Sequence, residues 1–155
     1  MTAPVLLLTL LSTVTASGLQ TASSPAVVFV CEHGAAKSLI ASAYFNKLAA
    51  ERGLPVRAAF RAVSPQDDLS VRAVAGLKTD GLTIPDQKPT AIAAGDIEHA
   101  THIFAIGCQL PAAAAQSSKA SSWDDVPDDQ GYPAMRDAIV KHVTALLDQI
   151  QSRKG

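Results

Sequence analysis

The sequence predicts an α/β fold in which a doubly wound parallel sheet carries helices on both faces, in a single domain. Three observations support this prediction. Short apolar runs alternate along the chain with longer segments of helical periodicity. The first of these runs is apolar at every position, which is typical of a central strand in a parallel sheet. The chain has 155 residues, of which 48% are hydrophobic, and this suits one domain of ordinary size.

The first predicted strand covers residues 26–30, and the first predicted helix covers residues 37–52. Apolar residues recur in the helical segment at spacings of three and four. Gly53 follows where a C-terminal helix cap is expected. A second strand is predicted over residues 55–63.

Ser64 and Pro65 are expected to start a helix covering residues 67–77, because proline is favoured in the first turn of a helix. A third buried strand is predicted over residues 101–106. The alanine- and serine-rich segment 112–122 is compatible with helix or loop.

The last predicted element is an amphipathic helix over residues 133–152. In this architecture, ligands bind at the C-terminal ends of the strands. The residues that follow the predicted strands are therefore the first place to look for a site.

The N-terminal segment has the pattern of a secretory signal peptide. Residues 4–14 are apolar and small residues follow them, with cleavage expected after residue 16 or later, near residue 22. We therefore expect a signal peptide and the start of a linker over 1–22, a folded domain over 26–155, and export to the periplasm or the medium. No lysine or arginine precedes the apolar run, although one would be expected for a signal peptide. The alternatives are a misassigned start codon or a buried N-terminal helix, and under either the protein would be cytoplasmic. The run is shorter than the roughly 20 residues that span a bilayer, so no membrane partner is expected after cleavage.

Charge and cysteine content exclude several classes of protein. A net charge of −1, with no basic stripe on any predicted helix, argues against a nucleic-acid partner. Two cysteines are too few for a disulfide framework, and the four histidines are too scattered for a zinc site. We expect neither a metal nor another cofactor.

The most informative segment is residues 31–38, with the sequence CEHGAAKS, between the first strand and the first helix. Loop amides and a helix N-terminus point into one concavity there, and the helix dipole favours negative charge. The same field favours a thiolate, so we expect Cys31 to be a nucleophile near neutral pH. Lys37 adds a cation, and Ser38 can donate its hydroxyl to the sulfur. The alternative is a small buried cysteine in a strand-to-helix turn.

This segment resembles the C-x5-R-S/T phosphate loop of the low-molecular-weight protein tyrosine phosphatases, and of the thiol-dependent arsenate reductases that share their fold. Lys37 stands in place of the arginine, and the resemblance covers about residues 26–152. It implies that Cys31 is the nucleophile, that Lys37 is the oxyanion clamp and that Ser38 stabilises the thiolate. Losing the planar fork of arginine is expected to cost roughly 10²–10³ in turnover and less in ground-state binding, since the backbone amides remain.

The oxyanion-binding loop implied by the resemblance consists of six residues: Glu32, His33, Gly34, Ala35, Ala36 and Lys37. Gly34 suits the left-handed backbone that such a loop requires. The arsenate reductases also carry a histidine at the position of His33, which we expect to supply at most some positive potential. Glu32 would repel an anion unless its side chain turns outward.

Residues 123–131, with the sequence WDDVPDDQG, resemble the late loop of the same superfamily, in which an aspartate before a proline is the general acid. Matching the tryptophan and the glycine gives the acid position to Asp128, with Asp129 in place of the proline. Asp125 and Asp129 remain rival acids, and an acidic, solvated loop remains the alternative.

Cys108 is expected at the end of the third strand. In the arsenate reductases, a cysteine at this strand end attacks the arsenic adduct of the first cysteine, and a further resolving cysteine precedes a proline. This chain has Leu110 before Pro111, so the third thiol is absent. Cys108 remains a candidate redox residue that works with Cys31 and an external thiol, a partner of Cys31 in a disulfide, or a buried cysteine without chemistry.

Together these residues predict a thiolate-dependent enzyme that acts on an oxyanion. Hydrolysis of a phosphate monoester through a cysteinyl-phosphate intermediate needs only Cys31, Lys37, Ser38 and Asp128. The alternative is an arsenate reductase that uses Cys31 with Cys108, and the second alternative is an exported oxyanion-binding protein with weak or no catalysis. The expected partners are a small oxyanion or phosphorylated substrate and, for the reductase, an external thiol reductant.

Overall fold

The structure is a computed structural model that describes residues 26–153. Its centre is a four-stranded sheet with the order β2-β1-β3-β4, in which every neighbouring pair is parallel. The strands are β1 (Val27–Cys31), β2 (Ala58–Ala62), β3 (His102–Ile106) and β4 (Ala120–Trp123). The predicted signal peptide over 1–22 lies outside the described residues.

Within residues 26–153, five helices flank the sheet: α1 (Lys37–Glu51), α2 (Val71–Thr79), α3 (Ala94–His99), α4 (Ala112–Ala115) and α5 (Gly131–Ser152). Parallel strands cannot be joined by tight hairpins, so each connection crosses over the sheet and carries helix with it. The predicted α/β architecture with a parallel sheet is confirmed.

Side chains of β1 alternate between two apolar clusters, one on each face of the sheet. Val27 and Phe29 belong to the larger cluster with buried residues of α1, α2 and α5, whereas Val28 and Val30 belong to the smaller one. Ile97 of α3 packs against the smaller cluster. Both faces of β1 are therefore covered, which explains why its sequence is apolar at every position.

A polar cluster beside the larger apolar cluster joins α1, the end of α2 and α5. Asp80 Oδ2 accepts hydrogen bonds from the hydroxyls of Tyr44 (2.6 Å) and Tyr132 (2.7 Å), and Asp80 Oδ1 lies 3.3 Å from Arg136 Nη1. The two tyrosine hydroxyls lower the pKa of Asp80, while burial and then the Asp80 carboxylate raise the pKa of Tyr44 to about 12. A Cβ at Gly76 would lie 2.4 Å from the Tyr132 ring. Glycine on α2 therefore makes room for this tyrosine.

Two parts of the element prediction were wrong. The helix expected from Ser64 and Pro65 begins only at Val71, where the Ser70 side chain accepts a hydrogen bond from the Ala73 amide. The residues before it form bends and irregular backbone, and four amides between Val63 and Ser70 donate to carbonyls of Cys31 and of the loop after β1. Two short elements, α3 and β4, were not predicted at all. The sequence of β4 is Ala-Ser-Ser-Trp, which has little intrinsic strand preference, and it becomes a strand by pairing with β3.

Candidate active site

Cys31 lies at the C-terminal end of the central strand β1, beneath the first turn of α1. It is 4% exposed. Its Sγ lies 3.0 Å from Ser38 Oγ and 3.5 Å from the Ser38 backbone amide. The N-cap residue Ala36 has no side chain that can cap the helix, and the first turn contains no acidic residue. The positive end of the α1 dipole is therefore not neutralised by its own side chains and favours negative charge on the sulfur or on a ligand.

The loop after Cys31 needs a glycine at position 34. Gly34 has φ of 64°, and a Cβ there would lie 2.8 Å from the Cβ of Ala62 on β2. Any other residue would be strained by the left-handed backbone and would collide with β2. The close approach of the loop to β2 thus depends on Gly34.

The segment between β2 and α2 holds this loop by its carbonyl groups. Four amides of the segment donate to loop carbonyls: Val63 to Cys31 (3.1 Å), Ser64 to Glu32 (2.8 Å), Gln66 to His33 (3.4 Å) and Ser70 to Ala35 (3.0 Å). Within the described chain, the amides of residues 33–36 have no backbone acceptor of their own. The loop therefore has its carbonyls occupied and its amides available to an oxyanion.

Lys37 is the cation of the site. Its side chain is 11% exposed, and Nζ lies 2.8 Å from Oδ1 of Asp128, whose side chain is 71% exposed. A Cβ on Gly107, which follows β3, would lie 2.6 Å from the same Nζ, and Gly107 has φ of 59°. The ammonium thus lies between the end of β3 and the loop after β4, where a side chain at position 107 would displace it.

These residues line an open cavity of about 450 Å³. Seven of its lining residues were singled out from the sequence: Cys31, Glu32, His33, Ala35, Ala36, Lys37 and Asp128. Four were missed: Gln66, Ser70, Gly107 and Met135. The glycine directly after a strand was a signal for Gly107, whereas the other three lie on elements that only the tertiary structure brings to the loop. A larger groove of about 660 Å³ between α1 and the outer edge of β2 contains neither cysteine.

The structure separates the three rival aspartates. Asp125 Oδ1 lies 2.6 Å from Nε2 of His142 on α5, and this hydrogen bond lowers the pKa of Asp125. His142 in turn stacks on Trp123, with ring centroids 4.7 Å apart. Asp129 is exposed and does not line the cavity. Of the three, only Asp128 reaches Lys37 and the cavity.

His33 and Tyr132 are both engaged elsewhere. The Nδ1 of His33 donates to the Ser64 carbonyl at 3.1 Å, which ties the exposed imidazole to the segment after β2. Tyr132 is 8% exposed, bonds to Asp80 and does not line the cavity. No phenylalanine, tyrosine or tryptophan side chain lines the cavity within the described residues.

Cys108 follows β3 and is half-buried against the smaller apolar cluster. Its Sγ donates to the Val30 carbonyl at 3.5 Å. Burial, reinforced by the nearby Cys31, raises the pKa of Cys108 to about 11. Cys31 and Cys108 are both free thiols in this structure.

Residues 26–153 contain no group of three or more histidine, cysteine, aspartate or glutamate side chains that is placed to hold a metal ion. Over the same residues, no helix combines the length and apolar character needed to cross a bilayer.

Comparison with known proteins identifies the fold. No protein-family profile and no curated protein sequence matches the chain. Solved structures that are similar to it include the following three. YfkJ from Bacillus subtilis is 20% identical, with a TM-score of 0.73 over 86% of this chain and 98% of that one. A thioredoxin-dependent arsenate reductase from Corynebacterium glutamicum is 22% identical, with a TM-score of 0.69 over 90% of this chain and 65% of that one. A low-molecular-weight phosphotyrosine phosphatase from Vibrio cholerae is 16% identical, with a TM-score of 0.67 over 84% of this chain and 99% of that one. The chain therefore has the fold shared by low-molecular-weight tyrosine phosphatases and arsenate reductases, as the resemblance of its Cys31 loop predicted.

Proposed function

We propose that this protein is a thiol-dependent oxyanion enzyme that hydrolyses phosphate monoesters at Cys31. One observation carries the proposal. One cavity of about 450 Å³ is lined by Cys31, by loop residues whose amides have no backbone acceptor, and by the Lys37–Asp128 ion pair. Transfer of a phosphoryl group requires a nucleophile, donors for the phosphoryl oxygens and an acid for the leaving group. The fold shared with phosphatases and arsenate reductases supports the same class of chemistry.

In the first step, the phosphoryl oxygens bind the amides of residues 33–36 and the Lys37 ammonium. The Cys31 thiolate, stabilised by Ser38 and the α1 N-terminus, attacks phosphorus. An S–P bond forms while the P–O bond to the leaving group breaks. The phosphoryl group displaces Asp128 from Lys37, and Asp128, after taking up a proton from solvent, gives it to the leaving oxygen, so that an alcohol departs.

In the second step, a water molecule attacks the cysteinyl phosphate. The Asp128 carboxylate takes a proton from this water, a new P–O bond forms and the S–P bond breaks. Inorganic phosphate leaves and Cys31 returns to the thiolate. Asp128 can serve both steps because its side chain is 71% exposed and reaches both Lys37 and the cavity.

Arsenate reduction is the second candidate, and Cys108 is the observation that favours it. The Cys108 thiol bonds to the carbonyl of Val30, the residue before Cys31. In this reaction Cys31 displaces an oxygen of arsenate as water, and Cys108 then attacks the Cys31 sulfur. The pair becomes a disulfide, arsenic is reduced from As(V) to As(III) and an external thiol reduces the disulfide. The raised pKa of Cys108 opposes this step, because the attacking group must be a thiolate. Hydrolysis is therefore preferred.

The test is turnover of an aryl phosphate by the full chain under reducing conditions. We expect hydrolysis to be lost in Cys31→Ser and kept in Cys108→Ser. The two variants are matched because each replaces a thiol with a hydroxyl. Arsenite production that depends on thiol and is lost in Cys108→Ser would select the reductase instead. Retained binding of phosphate or arsenate without turnover would replace both with a binding protein.

We also propose that the protein is exported, on the strength of the apolar residues 4–14 and the small residues after them. N-terminal sequencing of the mature protein from its native host checks this proposal. A mature chain that begins between residues 17 and 26 supports export, and an intact N-terminus in the cytoplasmic fraction contradicts it.

A further inference from the structure

The charge balance of the cavity is unusual for a site that binds a phosphate dianion. Its one lysine, Lys37, is already paired with Asp128 at 2.8 Å. Glu32 is a second acidic residue among those that line the cavity. Apart from the Cys31 thiol and the neutral or cationic His33, the lining side chains carry two negative charges and one positive charge. Attraction for the phosphoryl group therefore comes mainly from the backbone amides and the α1 dipole, and the side chains oppose additional negative charge.

Glu32 has no counter-charge among residues 26–153. Within the described residues its carboxylate takes part in no ion pair and no side-chain hydrogen bond, and the residue is exposed. It directly follows Cys31 and lines the cavity, so it borders the space that the ester group of a substrate would fill when phosphorus lies at the sulfur. From the sequence, a carboxylate at position 32 is expected to repel an anion unless its side chain turns outward, and Glu32 is one of the residues that line the cavity.

The rest of the lining favours a small, aliphatic substrate. Ala35, Ala36 and Met135 form its apolar part, and no phenylalanine, tyrosine or tryptophan lines it within the described residues. Such a wall offers no stacking surface to a phenyl ring, but it accommodates methylene or methyl groups.

We propose that Glu32 is a specificity-determining residue that selects phosphate monoesters carrying a cationic group close to the phosphate. This inference rests on the proposed phosphatase function and names its substrate class: a small aliphatic phosphate ester with an ammonium group. The cation meets the Glu32 carboxylate, while the phosphoryl group meets the loop amides.

The test compares two esters that differ in one charge. Choline phosphate carries a trimethylammonium group, and 3,3-dimethylbutyl phosphate has the same shape with a neutral carbon in place of nitrogen. Calorimetric titration on the full chain with Cys31→Ser measures binding without turnover. We expect the cationic ester to bind about twofold to fivefold tighter, which is the range for one exposed ion pair. The preference should fall as added salt screens the charges.

Glu32→Gln is the decisive variant, and Glu98→Gln is its matched control. Glu98 is also exposed, and it lies on α3 just before β3 begins, toward the opposite end of the sheet from Cys31. Glu32→Gln should abolish the preference, whereas Glu98→Gln should keep it. The inference would be overturned if the Cys31→Ser chain bound the two esters equally, or if its preference for the cationic ester survived the addition of Glu32→Gln. If neither ester binds, the inference also fails, and aryl-phosphate turnover by the unmodified chain decides whether the proposed function fails with it.

Discussion

Gly107→Ala tests whether the position of the Lys37 ammonium decides oxyanion binding. The new Cβ would lie 2.6 Å from Nζ, and ordinary contact begins at 3.4 Å, so the ammonium must withdraw by about 0.8 Å. Because Nζ is the end of a flexible side chain, this movement costs little folding energy. The backbone costs more, since φ of 59° disfavours alanine by about 1–2 kcal/mol. That corresponds to a fall in Tm of roughly 3–8 °C for a domain of this size.

Gly53→Ala is the matched control. Gly53 has φ of 65°, and nothing lies within 4 Å of a Cβ placed there, so the variant has the same backbone strain without the contact to Lys37. Both variants also lose similar chain entropy in the unfolded state, and this contribution cancels in the comparison.

The two variants should therefore lose similar stability but differ in function. A displacement of about 1 Å at a reacting site can cost 10²-fold in rate, so we expect aryl-phosphate turnover to fall about 100-fold in Gly107→Ala only. Phosphate affinity should fall about tenfold or more, the value of one charge-assisted hydrogen bond. Thermal unfolding, phosphate titration and initial rates measure the three quantities. Equal phosphate affinity and turnover in the two variants would refute the assigned role of Lys37.

Three further predictions follow from individual side chains. Asp128→Asn should lower turnover by roughly 10²–10⁴, because the candidate acid is lost. It should also tighten phosphate binding, because the Lys37 ammonium loses its carboxylate partner. Asp125→Asn, which removes a carboxylate that faces α5, should have neither effect, and steady-state kinetics with phosphate inhibition measures both quantities. Iodoacetamide at pH 8 should label Cys31, which lines the cavity, and leave Cys108 unmodified until the pH approaches 11, because the pKa of Cys108 is raised to about 11. Peptide mass spectrometry reads both sites, and equal labelling would contradict the raised pKa of Cys108. Asp80→Asn should lower the free energy of unfolding by about 2–3 kcal/mol at pH 7, because two hydroxyls and a guanidinium lose an ionic acceptor. The pKa of Asp80 is lowered in the folded state, so this stabilisation is present above about pH 4 and is lost as the pH falls through the folded pKa. Denaturation at pH 7 and pH 3 should therefore show the variant and the parent chain converging in acid, and a constant difference would exclude the carboxylate as its source.

Lys37 and Asp128 form an ion pair with each other at the cavity. A lysine in place of arginine suggested a weakened clamp, because a point charge grips fewer oxygens than a planar fork. In the structure, the same lysine also holds the candidate acid at the cavity. Under the proposed mechanism, an incoming phosphoryl group competes with Asp128 for this ammonium. This competition links substrate binding to release of the acid.

The segment before α2 shows why parts of the site could not be predicted from sequence. Ser64 and Pro65 have the pattern of a helix start, but the amides that follow donate to carbonyls of the loop after β1. Those bonds join residues about 30 positions apart, so a local pattern does not contain them. Gln66 and Ser70 reach the cavity for the same reason. Neither residue carries a signal of its own.

Local signals by themselves determined the strand–loop–helix around Cys31. A central strand must be apolar at every position, and a loop with left-handed backbone needs a residue such as Gly34, so both leave a mark in the chain. The parallel α/β fold and the candidate nucleophile could be predicted for that reason, whereas the candidate acid Asp128 was predicted from the resemblance of residues 123–131 to the late loop of the superfamily. Only the tertiary structure placed Asp128 rather than Asp125 beside Lys37, put Gly107 against the ammonium and left Glu32 without a counter-charge at the cavity. Each of these outcomes depends on distances between residues far apart in sequence, and such distances are set by how the strands and helices pack rather than by any local pattern.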